Sequence, residues 1–238
     1  MYHSITFGDK NTWDDWHLIP SKRPSFNPPT VKSQYVDIPG GNGVLDLTES
    51  LTGYPLYNTR TGSWEFYVEN GFKPWDELYS EISNYLHGQK LRAILEDDPG
   101  FYYEGRFTVD EWNSDSWWST ITISYDVYPY KKELTSSLED WLWDPFDFET
   151  GIVREYGELE VNDTLTLEIP SRKEYICPKI IVTSSDGTGM NLQYNSKTYH
   201  LNDGENLLPE VTFGGGVVVT LKFTGNGTVS VDYQGGSL

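Results

Sequence analysis

The sequence predicts a mainly β protein of the α+β kind, with a strand-rich N-terminal half that carries one helix and a projecting β-hairpin, followed by a C-terminal β-sandwich or jelly roll. Three observations predict it. Apolar residues alternate with polar ones at period two over 63–68, 101–109 and 119–127, as half-buried strands require. One stretch only, Trp75 to Leu86, has helical spacing. From about Gly157 many short alternating runs are broken by Gly, Asn and Asp at regular intervals, the pattern of an all-β domain.

In chain order, the first irregular element runs from Ile19 to Pro29. Pro20, Pro24, Pro28 and Pro29 exclude a regular helix or a central strand, so an extended surface run is expected. Tyr35-Val36-Asp37-Ile38 and Val44-Leu45-Asp46-Leu47 flank the turn signal Pro39-Gly40-Gly41-Asn42-Gly43 and read as two short strands. A hairpin with so little apolar content on one side would project, or would pair with something outside its own domain.

Trp64, Phe66 and Val68 form the inward face of the next strand. In the helix, Trp75, Leu78, Tyr79, Ile82, Tyr85 and Leu86 share one face. Pro74 is expected in the first turn, Asp76 and Glu77 near the positive end of the dipole, His87 in the last turn and Gly88 as the stop. Phe101, Tyr103, Phe107 and Val109 oppose Tyr102, Glu104, Arg106 and Thr108. Ser119, Ile121, Ile123, Tyr125 and Val127 oppose Thr120, Thr122, Ser124 and Asp126. After Tyr130 the composition shifts. Residues 131–156 read as a connector, polar at first, then aromatic with Trp141, Trp143, Phe146 and Phe148, which suits docking better than flexible linkage. Within 157–238, strands are expected at Thr164 to Ile169, Ile180 to Val182, Leu192 to Tyr194, Tyr199 to Leu201, Val217 to Phe223 and Val229 to Tyr233. The expected domains are therefore 1–130 and 157–238.

Charge excludes several roles. The 238 residues carry 36 acidic against 17 basic side chains, for a net charge of -19. Phosphate recognition needs clustered Lys and Arg, so no specific nucleic-acid binding is expected, nor attraction to an anionic membrane. No segment approaches the ~20 apolar residues of a membrane span. Residues 1–8 have neither a basic start nor an apolar run, so no secretory leader is expected, and the sequons at Asn162 and Asn226 carry little weight. Cys177 is the one cysteine, so no internal disulfide forms; beside Ile176 and Pro178 it reads as a core residue.

The inventory for chemistry is thin. His3, His17, His87 and His200 share no metal-ligand spacing, and no nucleotide fingerprint or nucleophile elbow is present. Glu96-Asp97-Asp98-Pro99 is the densest acidic cluster. It reads as calcium ligands or as a solvated turn, and the turn is favoured because the spacing fits no EF-hand-like loop. Trp117-Trp118 and Trp141/Trp143 either stack on sugar rings or pack at an interface. Their place outside the C-terminal sandwich favours packing. No catalytic, cofactor or metal site is expected, and the protein is expected not to be an enzyme.

Several stretches, in order and spacing, resemble the distal tail (Dit) proteins of siphophages that infect Gram-positive bacteria. They are Ile5-Thr6-Phe7-Gly8 with Trp13 to Pro20; Tyr35 to Gly40 with Gly43 to Glu49; Arg60-Thr61-Gly62; Leu86-His87-Gly88; Leu95 to Arg106; and Tyr125 to Tyr130. They span essentially residues 1–130, and Trp141-Leu142-Trp143-Asp144-Pro145-Phe146 looks like the family's entry to its second domain. The resemblance implies a β-sandwich-like N-terminal ring domain and a galectin-like C-terminal sandwich, in the short structural form without an inserted carbohydrate-binding module.

It further implies a hexameric ring at the virion tail tip, single or stacked. The ring would join the tail tube protein to the tail-associated hub protein, with receptor-binding or baseplate proteins as further candidate partners. The hairpin would reach the neighbouring subunit, which makes Tyr35, Val36, Ile38, Val44, Leu45 and Leu47 the candidate interface residues. Two alternatives stand beside this. A carbohydrate-binding module for host cell-wall sugars is opposed by the absence of Trp from 157–238. A glycoside hydrolase has only abundant carboxylates in its favour.

Overall fold

A computed structural model describes residues 2–69, 71–114, 119–138 and 155–238. The chain divides into two compact units, Met1–Lys131 and Lys132–Leu238. The aromatic pairs Trp117-Trp118 and Trp141/Trp143, with Phe146 and Phe148, lie outside the described residues.

The first unit contains β1 (Ile5–Phe7), β2 (Lys10–Asn11), β3 (Leu18–Pro20), β4 (Tyr35–Asp37), β5 (Val44–Asp46), β6 (Arg60–Val68), helix α1 (Trp75–Leu86), β7 (Gln89–Leu95), β8 (Phe101–Ser114) and β9 (Ser119–Val127). Its sheet runs β2-β1-β7-β8-β9-β6-β3. The period-two faces emerge as expected: Trp64, Phe66 and Val68 of β6, and Ile121, Ile123, Tyr125 and Val127 of β9, are buried. Phe7, Phe66 and Phe107 lie with Leu78, Ile82 and Leu86 of α1 in one apolar core. Burying each such side chain contributes roughly 1.5–3 kcal/mol before conformational entropy is charged against it.

The helix has the expected span, with two corrections at its ends. Pro74 is the N-cap, with an extended ψ of 137°, so it precedes the first turn; its carbonyl accepts the amide of Leu78 at 3.1 Å. His87 is the C-cap rather than a last-turn residue, and Gly88 stops the helix in a left-handed conformation (φ 74°) that L side chains avoid.

Two other expectations change. The proline segment is not wholly a surface run. Phe26 inserts into the core, stacked on Tyr103 at 3.8 Å and edge-on to Trp64 and Tyr125, while the Trp64 indole donates to the carbonyl of Ser25 at 2.9 Å. Pro20 sits in β3 at the sheet edge, where its missing N–H breaks no ladder bond. Tyr102, read as outward-facing, is buried as well as Tyr103, with the Arg92 guanidinium over its ring at 4.5 Å.

The acidic cluster forms the β7–β8 turn. Glu96 accepts from the amide of Ser4 at 2.8 Å, Asp97 bonds His3 and Arg23 at 2.9 Å, and Asp98 pairs with Lys131 at 2.5 Å. Burial works to raise the Asp97 pKa, but the hydrogen bonds from His3 and Arg23 outweigh it and hold the carboxyl below its ordinary value. A lowered folded pKa stabilises above the unfolded value, near 3.8, and that contribution is lost as pH falls through the folded value. The melting temperature of wild type is therefore expected to exceed that of Asp97→Asn at pH 7, with the gap closing below about pH 4. Thermal melts of both proteins from pH 7 to pH 3 check this, and a constant gap would contradict it.

Strand β10 (Lys131–Glu133) leads into the second unit, which contains β11 (Leu159–Pro170), β12 (Lys179–Ser184), β13 (Met190–Tyr194), β14 (Lys197–Leu201), β15 (Gly204–Leu207), β16 (Val218–Asp232) and β17 (Gly236–Ser237). Glu133 bonds the Gly235 amide at 3.0 Å and Arg172 at 2.8 Å, and the Ser137 hydroxyl donates to the carbonyl of Val231 at 2.7 Å. The strands run β14-β13-β16-β12-β15, with β11 alongside β16 over its whole length.

Two runs read separately from the sequence, Val217 to Phe223 and Val229 to Tyr233, belong to the single 15-residue strand β16. Gly225 and Gly227 take φ of 138° and 142°, so the strand curls there instead of turning back. Its first half pairs with β13 and its second with β12, so one strand serves both layers of a curled β-sandwich. Val161, Ile180, Leu192, Phe213, Leu221, Phe223 and Val231 fill the space between. Cys177 is half-buried. Its thiol donates to the carbonyl of Leu208 at 3.0 Å, and burial pushes its pKa up, away from reactive thiolate character.

Candidate subunit interface

The hairpin of β4 and β5 stands as a two-stranded sheet of its own, with Tyr35 opposite Asp46, Val36 opposite Leu45 and Asp37 opposite Val44. Gly40 and Gly43 take left-handed conformations (φ 76° and 82°), and the Gly41 amide closes the turn on the carbonyl of Ile38 at 3.0 Å. Below the strands, the Leu47 amide donates to the carbonyl of Gln34 at 2.8 Å. The Thr48 hydroxyl accepts the Gln34 amide at 3.0 Å. Hydrogen bonds from the Thr48 side chain and amide hold the Asp46 carboxyl below its ordinary pKa, which keeps it charged.

Pairing sorts the side chains onto two faces, because directly opposed residues share a face and neighbours along a strand alternate. Val36, Ile38, Leu45 and Leu47 fall on one face. Tyr35 and Val44 fall on the other with Asp37 and Asp46. On the first face these four side chains are all apolar, yet Val36, Ile38 and Leu45 are 44%, 46% and 52% exposed. Tyr35 and Val44 are exposed too, and Leu47 is half-buried. The six candidate residues are thus brought together on one small element, and four of them make a single apolar surface.

Sequence reading missed the stalk that carries this element. Val31 pairs with Tyr57 in an isolated bridge, supported by Lys32 donating to the carbonyl of Leu56 and Asn58 to that of Thr30, both at 2.8 Å. Val31, Leu51 and Leu56 add further exposed apolar side chains. These residues have no alternation or turn signal of their own; the signal available was isolated apolar residues in a polar stretch flanking the hairpin.

Other residues singled out from the sequence take structural places. His3 joins the Asp97 turn. His17 bonds Glu69 at 2.6 Å and stacks on Phe72, and His200 lies 3.3 Å from Asn191. Among the described residues no group of three or more His, Cys, Asp or Glu side chains converges as a metal site, and no helix is long and apolar enough to cross a membrane.

No sequence-family model matches the chain, and no curated protein does so. Among solved structures, it is similar over its whole length to the Dit protein of phage SPP1, described as a paradigm of the hub adsorption apparatus in phages infecting Gram-positive bacteria. The two share 13% identity, each is covered to 100%, and the TM-score is 0.62. At that identity the likeness is one of fold, and it extends over both units.

Proposed function

We propose that this chain is a distal tail protein, a structural subunit that assembles into a hexameric ring at the tip of a long phage tail and joins the tail tube to the hub. The whole-length likeness in fold to SPP1 Dit carries the reading, since it takes in both units rather than one common sandwich. The hairpin supports it independently. An apolar face projected into solvent costs free energy until another surface covers it, and in a closed ring every copy can offer its neighbour the same cover.

In this reading Val36, Ile38, Leu45 and Leu47 pack against the adjacent copy, while Tyr35 and Val44 line the rim with Asp37 and Asp46. The ring sits at the virion tail tip after assembly in the bacterial host. Its partners are further copies of itself, the tube protein above, the hub protein below, and receptor-binding or baseplate proteins at its periphery. Six copies at -19 each also make a strongly acidic annulus, which would let DNA pass without adhering.

Native mass spectrometry of the full chain tests the oligomer. The expected species has six times the 27.3 kDa chain mass, or twice that for stacked rings. A single-copy species that persists at high concentration and after addition of tube and hub proteins would overturn the proposal.

A further inference from the structure

A cleft of about 560 Å³ opens on the second unit, on the solvent face of the sheet formed by β11, β16 and β13. That volume lies in the range of small-molecule sites. Its composition departs from the rest of the chain. Although 36 of 238 residues are acidic, no carboxylate lines it. Hydroxyls and amides line it instead, along with two tyrosines, valines and one lysine.

Register explains the floor. Thr166, Lys222 and Gln193 sit side by side on three adjacent strands and are all exposed, so a hydroxyl, an ammonium and an amide form one cross-strand row. Lys222 makes no ion pair among the described residues, although acidic side chains outnumber basic ones about two to one in the chain.

The wall is an aromatic ring held in place. The 172–176 segment is pinned to 213–216: the Ile176 amide donates to the carbonyl of Phe213 at 2.8 Å, and the Gly216 amide to that of Arg172 at 2.9 Å. The ring of Tyr175 lies directly on the glycine backbone. A Cβ at Gly214 would fall 2.5 Å from the ring, and one at Gly215 would fall 2.7 Å from its hydroxyl. Tyr175 nevertheless remains 39% exposed. Two bare glycines thus fix the ring and leave part of it open, which spares a ligand the entropy of ordering it.

The far rim is the β13–β14 turn. Asn195 and Ser196 both adopt left-handed conformations (φ 45° and 63°), where glycine is the ordinary choice at the second position. The turn thus holds two polar side chains at the cleft on a strained backbone. Beneath it, the Tyr194 hydroxyl donates to the carbonyl of Thr212 at 2.8 Å and secures the base.

We infer that this cleft binds a saccharide carrying an anionic substituent. The apolar face of a sugar ring lies on Tyr175 and the neighbouring Val217 and Val218. Its hydroxyls meet Gln193, Asn195, Ser196 and Thr166, and its phosphate or carboxylate meets Lys222. A bare anion would leave the aromatic wall and the amides unused, and a nucleic acid would meet a single cation. The inference does not depend on ring assembly, so either can fail without the other.

Saturation-transfer difference NMR on the full chain tests it, with glucose, galactose, N-acetylglucosamine, glucose 1-phosphate, N-acetylglucosamine 1-phosphate and inorganic phosphate as probes. Transfer to sugar C–H protons is expected, strongest for the sugar phosphates. Tyr175→Ala is expected to weaken all sugar binding about tenfold or more, as loss of an aromatic anchor does. Lys222→Gln, on an exposed strand position that leaves folding intact, is expected to abolish the preference for the phosphorylated sugars, about fivefold, while neutral sugars still bind. No transfer to any sugar overturns the inference. So does binding unaffected by both substitutions, and so does full displacement of glucose 1-phosphate by an equal concentration of inorganic phosphate, which would indicate a simple anion site.

Discussion

Gly227→Ala is expected to destabilise the second unit by about 4 kcal/mol and to lower its melting temperature by about 15 °C or more. Gly227 lies inside β16 between two partners, opposite Val161 of β11 and Ser184 of β12. Its φ of 142° is strained for any L residue. A Cβ would press into the carbonyl oxygen of Thr183 and come within 2.8 Å of the Met190 methyl. The methyl can move, but the carbonyl belongs to the paired strand and cannot yield without opening the ladder. Gly225 is the internal comparison. Its φ is similar, yet the nearest atom a Cβ there would meet is on the Met190 side chain, at 3.1 Å, so Gly225→Ala is expected to cost about half as much. Thermal denaturation of the three proteins checks this ordering. Equal stability of wild type and Gly227→Ala would mean that the curl in β16 does not depend on these glycines.

The second large effect concerns assembly. The double variant Val36→Asp with Leu45→Asp places two carboxylates on the apolar hairpin face at directly opposed positions. Both residues are about half exposed and outside the core, so folding is expected to change by no more than about 0.5 kcal/mol. In a ring contact, each carboxylate would have to be desolvated against an apolar neighbour, at about 2 kcal/mol or more per site. Self-association is therefore expected to fall by about a hundredfold or more, leaving a folded single chain. Undiminished ring formation by this variant would remove the hairpin from the interface.

Much of this architecture could be read from the sequence where a period was long enough to be unambiguous. Trp75 to Leu86 repeats for three turns between Pro74 and Gly88, and 119–127 alternates without a break. The hairpin was legible for a different reason: Pro39 to Gly43 is a dense turn signal between two runs too short to bury anything. Legibility failed where tertiary context overrode local pattern. The Gly225-Asn226-Gly227 triplet has the composition of a turn, and only pairing on both sides shows it to be a curl within one strand. Tyr102 alternates outward with Glu104 and Arg106, but Arg92 from the neighbouring strand closes over it. Phe26 sits among prolines that forbid regular structure without forbidding burial. The cleft was invisible because its aromatic wall is a tyrosine in a loop, far in sequence from the glycines that seat it.

Whether copies of this chain close into a ring through the projecting hairpin is decided by a cryo-EM reconstruction of the assembled protein. A sixfold annulus with an open centre is expected, in which Val36, Ile38, Leu45 and Leu47 of each copy are covered by the next. An annulus whose hairpins all stand free in solvent would contradict it.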